Sequence, residues 1–534
     1  MVEGLDHHPL SHPAGIPVRP ARLLLGGCRP ASHRRGDAAK FGAERHPRDH
    51  RDGFVVLLAP HRRLEPQSRH ALLMDERRDR AHEAGAMSGI RFAAPAYSGL
   101  TSSLLDADGL ESCAIAYAHH DAATSTWIVG DAVPVPEDAY ERRDCVSAVL
   151  KPSFLIDVAN RSRVTGMAVI AIHTHPGSSG YPHFSSIDDE GETELAPYFA
   201  QRGAAVPHVA LVIGPEGCRA RVLGAGESID VWEVGERLLL HSPMPGRAAQ
   251  KRDDRQVRAF GEPGQRLLRR LRFGVIGAGG TGSLVCQQLA HLGASWITVI
   301  DPDLVEATNL NRLVGSVPSD VGTPKVDVAA RMIRAINPDA TVIPLRADIV
   351  DEDVAKLLAT FDFVLLCTDS HASRAVVCQA AYQYLVPAID MGVSITVANG
   401  GVTHITGRVQ MLAPGLPCLT CSGTLDGEVI RREMQTPEQR AADPYVHGVR
   451  EPQPAVLSIN STVSSLAVTM LLGAVTPVPV KPRHQTYDGI RGRVREIAVA
   501  VQSQCIVCSP AGALAKGPTW NLPVRPARPE GDDR

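Results

Sequence analysis

Residues 273–293 read FGVIGAGGTGSLVCQQLAHLG: a short apolar run, a cluster of glycines at 277, 279, 280 and 282, then apolar residues at helical spacing. That order specifies a strand, a tight turn and a helix. The glycines let the backbone approach a ligand phosphate at the helix N-terminus. A second apolar run, WITVIDPD, ends with Asp301, which is suitably placed for a ribose hydroxyl. Helical and extended patterns then alternate through DVAARMIRAIN, TVIPLRAD and FDFVLLCTDS. Such alternation predicts a doubly wound, mainly parallel α/β sheet. A glycine turn with a following acid would also suit a nicotinamide dinucleotide, so it does not choose the ligand.

The segments around the turn are more specific. DPDLVEATNLNR (301–312), GTPKVDVAARMIRAINP (322–338) and LLCTDS (365–370) together resemble the ubiquitin-activating-enzyme superfamily, including the ThiF/MoeB-like adenylyltransferases of thiamine and molybdopterin biosynthesis. The resemblance implies that Gly277, Gly279, Gly280 and Gly282 form an ATP-binding turn and that Asp301 holds the ribose. It further implies that Asn309, Arg312 and Lys325 contact the phosphates and that Asp369 holds Mg2+. The leading helix DRQVRAFGEPGQRLL would bring Arg255 to the ATP of a neighbouring subunit, hence a homodimer. Attack of a carboxylate on the α-phosphate needs such cations, because charge develops on both the attacking and leaving oxygens.

CLTC at 418–421 and CIVC at 505–508 have the spacing of a closed four-thiolate zinc site. Cys418, Cys421, Cys505 and Cys508 are therefore read as a structural metal site, in agreement with the same superfamily. Between Cys421 and Cys505 there is no cysteine, while Cys286, Cys367 and Cys378 fall in helix or strand patterns and read as core. An enzyme that adenylates without forming its own thioester is expected.

A second constellation lies upstream, in AIHTHPGSSGYPHFSSIDDE (171–190). On an extended strand His173 and His175 project from one face and Thr174 from the other, so both imidazoles can reach one divalent ion. A catalytic zinc takes three protein ligands, and the third should come from Asp188, with Asp189 the second choice. HTHP followed by SSID, with a glutamate ahead of the strand ESCAIAYA, resembles the JAMM or MPN family of zinc metallopeptidases, though the loop between His175 and Ser185 is longer than the commoner family spacing. The resemblance implies His173, His175 and Asp188 as zinc ligands, Glu111 as general base and Ser185 as a stabiliser of the oxyanion. Zinc lowers the pKa of bound water towards about 7, where a nearby carboxylate can take its proton.

The 534 residues suffice for two or three domains. Residues 1–86, rich in Arg, His and Pro, read as a disordered or mis-assigned extension, with Met87 as an alternative start. Residues 87–240 read as a small JAB-type α/β metallopeptidase domain and 241–254 as a linker. The ThiF-type Rossmann-like domain spans 255–510, and 511–534 is expected to be a flexible tail. A formal charge of -3 gives no electrostatic reason to expect nucleic acid or an anionic membrane. No apolar run approaches membrane-spanning length and no signal peptide is evident, so a cytoplasmic location is expected.

The combined expectation is a bifunctional enzyme using one catalytic and one structural Zn2+, ATP and Mg2+. It would cut a bond at the C-terminus of a small ubiquitin-like protein and adenylate that terminus, with a conjugating-enzyme-like protein as a further partner. The alternatives are sulfur-carrier activation for thiocarboxylate-dependent biosynthesis and a non-catalytic module that binds a ubiquitin-like tail. A nicotinamide oxidoreductase ranks below these.

Overall fold

The computed structural model describes residues 89–105, 109–244, 250–436, 439 and 454–525. The extension 1–86 lies outside them. Two eight-stranded sheets organise the rest.

The first sheet contains β1 (Gly89–Ala93), β2 (Cys113–Asp121), β3 (Thr126–Pro134), β6 (Ala168–Thr174), β7 (Val209–Gly214), β8 (Gly217–Val222), β9 (Ser228–Val234) and β10 (Leu238–Leu240). Its order is β1-β3-β2-β6-β7-β8-β9-β10, and β1 also pairs with β9, so the sheet closes on itself. A separate hairpin, β4 (Tyr140–Arg143) with β5 (Ala148–Leu150), stands beside it. The helices are α1 (Ala94–Leu104), α2 (Pro152–Thr165) and α3 (Ser186–Arg202). Alternation explains the interior: Ile90, Phe92, Ile170, Ile172, Leu211 and Ile213 are all buried.

The second sheet runs β13-β12-β11-β14-β15-β16-β17-β18. Its parallel core is β11 (Arg272–Ile276), β12 (Trp296–Ile300), β13 (Thr341–Leu345), β14 (Phe363–Leu366) and the start of β15 (Ala388–Ala398). The expected parallel order holds there. Beyond it, β16 (Gly401–Leu412), β17 (His484–Asp488) and β18 (Arg493–Glu496) continue as an antiparallel meander, which the helix–strand alternation did not separate from the core. Helices α4 (Asp254–Arg270), α5 (Gly280–Leu292), α6 (Lys325–Ile336), α7 (His371–Gln383), α8 (Gly427–Glu433) and α9 (Leu457–Val475) accompany it. Because β11 lies between β12 and β14, the chain reverses its winding at the C-terminal end of β11. Such a switch point is where open α/β sheets bind ligands.

Three expectations are corrected here. Helix α9 is long and apolar enough by length and composition to cross a membrane, although the sequence suggested no such run. It packs as a core helix: Asn460 and Ser464 are buried and the Ser464 hydroxyl donates to the Thr281 carbonyl, pairings suited to a protein interior. Residues 511–525 are not a free tail. Ala515 donates its N–H to Tyr382, Gly517 accepts from the Gln383 amide at 2.7 Å, and Arg525 donates its N–H to Val350 at 2.7 Å. The 241–254 linker is docked at both described ends: His241 pairs with Glu233 at 2.7 Å and stacks on Tyr97, and Asp253 is buried against Arg269.

The two halves share a polar lock. The Arg91 guanidinium, from β1, donates to the carbonyls of Phe361 at 3.1 Å and Tyr384 at 3.2 Å and lies 3.7 Å from Asp362. A buried cation needs this full set of partners, since leaving it unpaired would cost several kcal/mol, roughly 3–5.

Candidate functional site

At the glycine turn, Gly277 takes φ +94, a conformation that L side chains rarely adopt. Asp301 pins the turn from beneath: one carboxylate oxygen accepts the Ala278 N–H at 2.7 Å and the other the Asp303 N–H at 2.8 Å. Burial pushes its carboxyl above the usual range, opposed by Lys325 and those two N–H groups. Lys325, first residue of α6, pairs with Asp303 at 2.7 Å. Asn309 is buried and caps its own turn by accepting from Glu306 N–H at 3.1 Å. Arg312 reaches over the start of α5: a Cβ placed on Gly280 would lie 3.4 Å from its Cδ. Asp369 follows β14 and is exposed. These residues therefore gather at the C-terminal ends of β11, β12 and β14.

Arg255 does not. It is exposed near the start of α4, where its neighbour Gln256 donates to His291 near the C-terminal end of α5, the end opposite the glycine turn. It cannot serve the turn of its own chain.

The four cysteines converge as their spacing indicates. Cys418 and Cys505 sulfurs are 3.5 Å apart, as are those of Cys421 and Cys508, and all four lie within 4.8 Å of one another. Tetrahedral Zn–S bonds of about 2.3 Å place sulfurs roughly 3.8 Å apart, so the donor set fits zinc. Cys286, Cys367 and Cys378 are buried, as expected of core thiols; Cys378 accepts the Leu419 N–H beside the cluster.

The histidine pair is built by β6 and its neighbours. Thr174 is fully buried, its Oγ1 accepting the Ser112 N–H at 2.9 Å, which turns His173 and His175 to the opposite face. Asp188 meets them from α3, with carboxylate oxygens 3.0 Å from His173 Nε2 and 3.5 Å from His175 Nε2. Glu111 lies 3.6 Å from His175 Nε2. His173 Nε2 is buried with no hydrogen bond of good geometry, the condition of a nitrogen placed to ligate. A three-donor set with one carboxylate alongside fits a zinc with an open position.

Electrostatics follow from this crowding. Burial would raise the Asp188 carboxyl, but the imidazoles of His173 and His175 beside it hold it well below the usual range. Asp188 in turn raises His175. Burial raises Glu111, the direction a proton-accepting carboxylate needs. Asp189 is drawn away from the histidines to Arg221 at 2.6 Å, and it is Asp188 that gathers with them. Ser185 is the N-cap of α3, and its hydroxyl donates to Asp188 at 2.8 Å, which orients that carboxylate towards the histidines. The cluster opens onto a cavity of about 610 Å3 whose walls include Leu150, Ile156, Ile187 and Tyr198.

The ThiF family model matches residues 253–507. Molybdopterin-synthase adenylyltransferase of Escherichia coli (strain K12) is 31% identical over 261 residues, covering 48% of this chain and 95% of that protein. The chain belongs to the ThiF family. The sulfur carrier protein adenylyltransferase of Thermus thermophilus is 29% identical over 248 residues, 46% of this chain and 86% of that protein. The SAMP-activating enzyme E1 of Haloferax volcanii is 34% identical over 161 residues, and the chain spans 56% of its length.

Some residues of the ThiF half carried no sequence signal. Asn460 on α9 is buried, and its Nδ2 would lie 2.3 Å from a Cβ at Gly280, so it closes the glycine turn from a position far downstream. In the other half, Glu111 is gripped through its main chain: its carbonyl accepts from Arg143 at 3.0 Å and its N–H donates to Asp144 at 2.9 Å. No local pattern ties either contact to a motif.

Proposed function

We propose that this protein activates the C-terminal carboxylate of a small ubiquitin-like sulfur-carrier protein as an acyl-adenylate, for thiocarboxylate-dependent biosynthesis. The observation that carries this reading is the convergence of Asp301, Arg312, Lys325 and Asp369 around a glycine turn that is open at Gly279 among the described residues. The names of the ThiF-family relatives, one of them a sulfur carrier protein adenylyltransferase, favour sulfur-carrier activation over ubiquitin-like conjugation. In this reading the turn takes the phosphates and Asp301 the ribose. Lys325 and Arg312 offset charge on the leaving pyrophosphate. Magnesium held by Asp369 would supply further neutralisation. The core positions of Cys286, Cys367 and Cys378 favour release of the adenylate without an enzyme thioester. A homodimer in which Arg255 serves the partner's nucleotide, acting in the cytoplasm, completes the proposal.

For the amino-terminal half the same proposal assigns a JAMM-type zinc hydrolase that cuts a bond at the carrier's C-terminus. The specific observation in its favour is the His173, His175, Asp188 and Glu111 cluster at the mouth of an apolar cavity. A bound zinc would activate water; Glu111 takes the proton, and Asp188, oriented by Ser185, completes the ligand set. Hydrolysis would yield the carboxylate that adenylation consumes.

Pyrophosphate exchange into ATP, dependent on a Gly-Gly-ending carrier, tests the adenylation reading. Asp369→Ala should abolish exchange and NAD should be inert. Exchange at the wild-type rate in Asp369→Ala, or a thiol-labile carrier adduct lost on replacing Cys286, Cys367 or Cys378, overturns it.

A further inference from the structure

Glu111 stands just outside the sheet that carries the histidines. Strand β2 begins at Cys113, opposite His173 of β6, so no strand ladder fixes the main chain of Glu111. The β4–β5 hairpin grips it instead. The Glu111 N–H donates to the Asp144 carbonyl at 2.9 Å, and two residues on the Cys113 N–H donates to the Tyr140 hydroxyl at 2.7 Å. Between these two contacts the Arg143 guanidinium donates to the Glu111 carbonyl at 3.0 Å and to the Ser112 hydroxyl at 2.6 Å. Ser112 is tied on its other side to the histidine strand. Its N–H donates to Thr174 Oγ1 at 2.9 Å, and its carbonyl accepts the Thr174 N–H at 3.0 Å. Thr174 separates His173 from His175, so a short chain of hydrogen bonds runs from Arg143 to the strand that presents both imidazoles.

The hairpin pairs with no further strand among the described residues. A two-stranded hairpin is marginal by itself, so its contacts with the rest of the half hold it in place. Arginine suits that task because its planar fork reaches several acceptors in one fixed geometry, which the point charge of a lysine does not. A third contact of Arg143, with Glu137 at 3.0 Å, goes to a carboxylate side chain that is 77% exposed, and an ion pair of that kind contributes little. The other two end on Glu111 and Ser112, both buried. There a charge-assisted bond is stronger and defines position.

We infer that Arg143 is the positioning residue of Glu111: through the main chain of Glu111 and the Ser112 hydroxyl it fixes where the proton-accepting carboxylate stands relative to His173 and His175. The inference rests on the hydrolase reading and adds to it the residue that places the base. Glu111 Oε1 lies 3.6 Å from His175 Nε2, so a small drift of its main chain changes the reach of the carboxylate. A general base works only within hydrogen-bond reach of the proton it takes, and a displacement of about 1 Å costs roughly 10²-fold in rate.

Arg143→Ala, Arg143→Lys and Glu137→Gln in the full chain test it. Hydrogen–deuterium exchange read by mass spectrometry should quicken in the peptide containing Glu111, Ser112 and Cys113 in Arg143→Ala, while the peptide containing β7 exchanges as in wild type. With a carrier extended beyond its Gly-Gly end as substrate, Arg143→Ala should lower kcat roughly 10²-fold and leave KM and the zinc count unchanged. Arg143→Lys should fall with Arg143→Ala, and Glu137→Gln should match wild type. In a Glu111→Gln background Arg143→Ala should cost little further, because placing the base matters only while the base is there. A role in general stability would instead cost the same in both backgrounds. Equal losses in the two backgrounds, unchanged exchange around Glu111, or full activity of either Arg143 variant overturns the inference. A wild-type chain that cuts no extended carrier overturns the hydrolase reading, and the exchange measurement still decides whether Arg143 fixes Glu111.

Discussion

Two glycines of the same turn should respond to alanine in opposite ways. At Gly282 a Cβ would lie 1.8 Å from the Gly277 carbonyl oxygen, a backbone atom that cannot rotate aside. The helix would have to move by well over an ångström, away from a Gly277 already held at φ +94. Overpacking of this kind costs about 1–3 kcal/mol, and here the obstacle is main chain, so the upper end is expected. At Gly279 φ is −78 and, among the described residues other than its chain neighbours, no atom lies within 4 Å of the added carbon. Gly279→Ala should therefore leave the melting temperature unchanged. It points a methyl into the space assigned to the phosphates, so it should weaken ATP by at least about 1.4 kcal/mol, or roughly tenfold. Thermal denaturation and titration with a fluorescent ATP analogue read the two effects separately. If Gly279→Ala binds the analogue as wild type does, the phosphates do not lie on this turn. If Gly282→Ala melts like wild type, the packing argument is wrong.

Metal analysis of the purified protein should find about two zinc ions per chain, and His173→Ala should lower that to about one by removing a donor of the open site. An unchanged count would dismiss the histidine cluster as a metal site. Glu111→Gln should retain both metals yet slow hydrolysis of a carrier extended beyond its Gly-Gly end by roughly 10²–10⁴-fold; a fully active variant removes Glu111 from the chemistry. Stability should also depend on pH through His208, whose pKa burial holds below the ordinary histidine value of 6.5. Its Nδ1 accepts the Val169 N–H at 2.9 Å, which requires the neutral ring. The unfolded chain then binds the extra proton first, so stability is full above pH 6.5 and is lost as pH falls from there towards the folded pKa. His208→Gln, which keeps an acceptor without the titration, should flatten that part of the denaturation profile; an unchanged slope would assign it to other groups.

What was legible in the sequence was local or periodic. The glycine turn, the paired CxxC segments and the HTH alternation each lie within a few residues, where φ/ψ preference and strand periodicity dictate the geometry before any tertiary contact forms. The choice between Asp188 and Asp189 was not of that kind. Both lie in the first turn of α3, and only the position of Arg221, on β8, draws Asp189 away. The role of Asn460 depends on α9 folding back over Gly280, and the packing of 511–525 depends on carbonyls presented by distant segments. Composition alone made 511–525 look like a tail, because its hydrogen-bonding partners are invisible along the chain. The antiparallel meander is the clearest case. Arg408 and Arg495 come to flank Thr486 only through a strand register, and register is settled when one face of the meander is buried under α9.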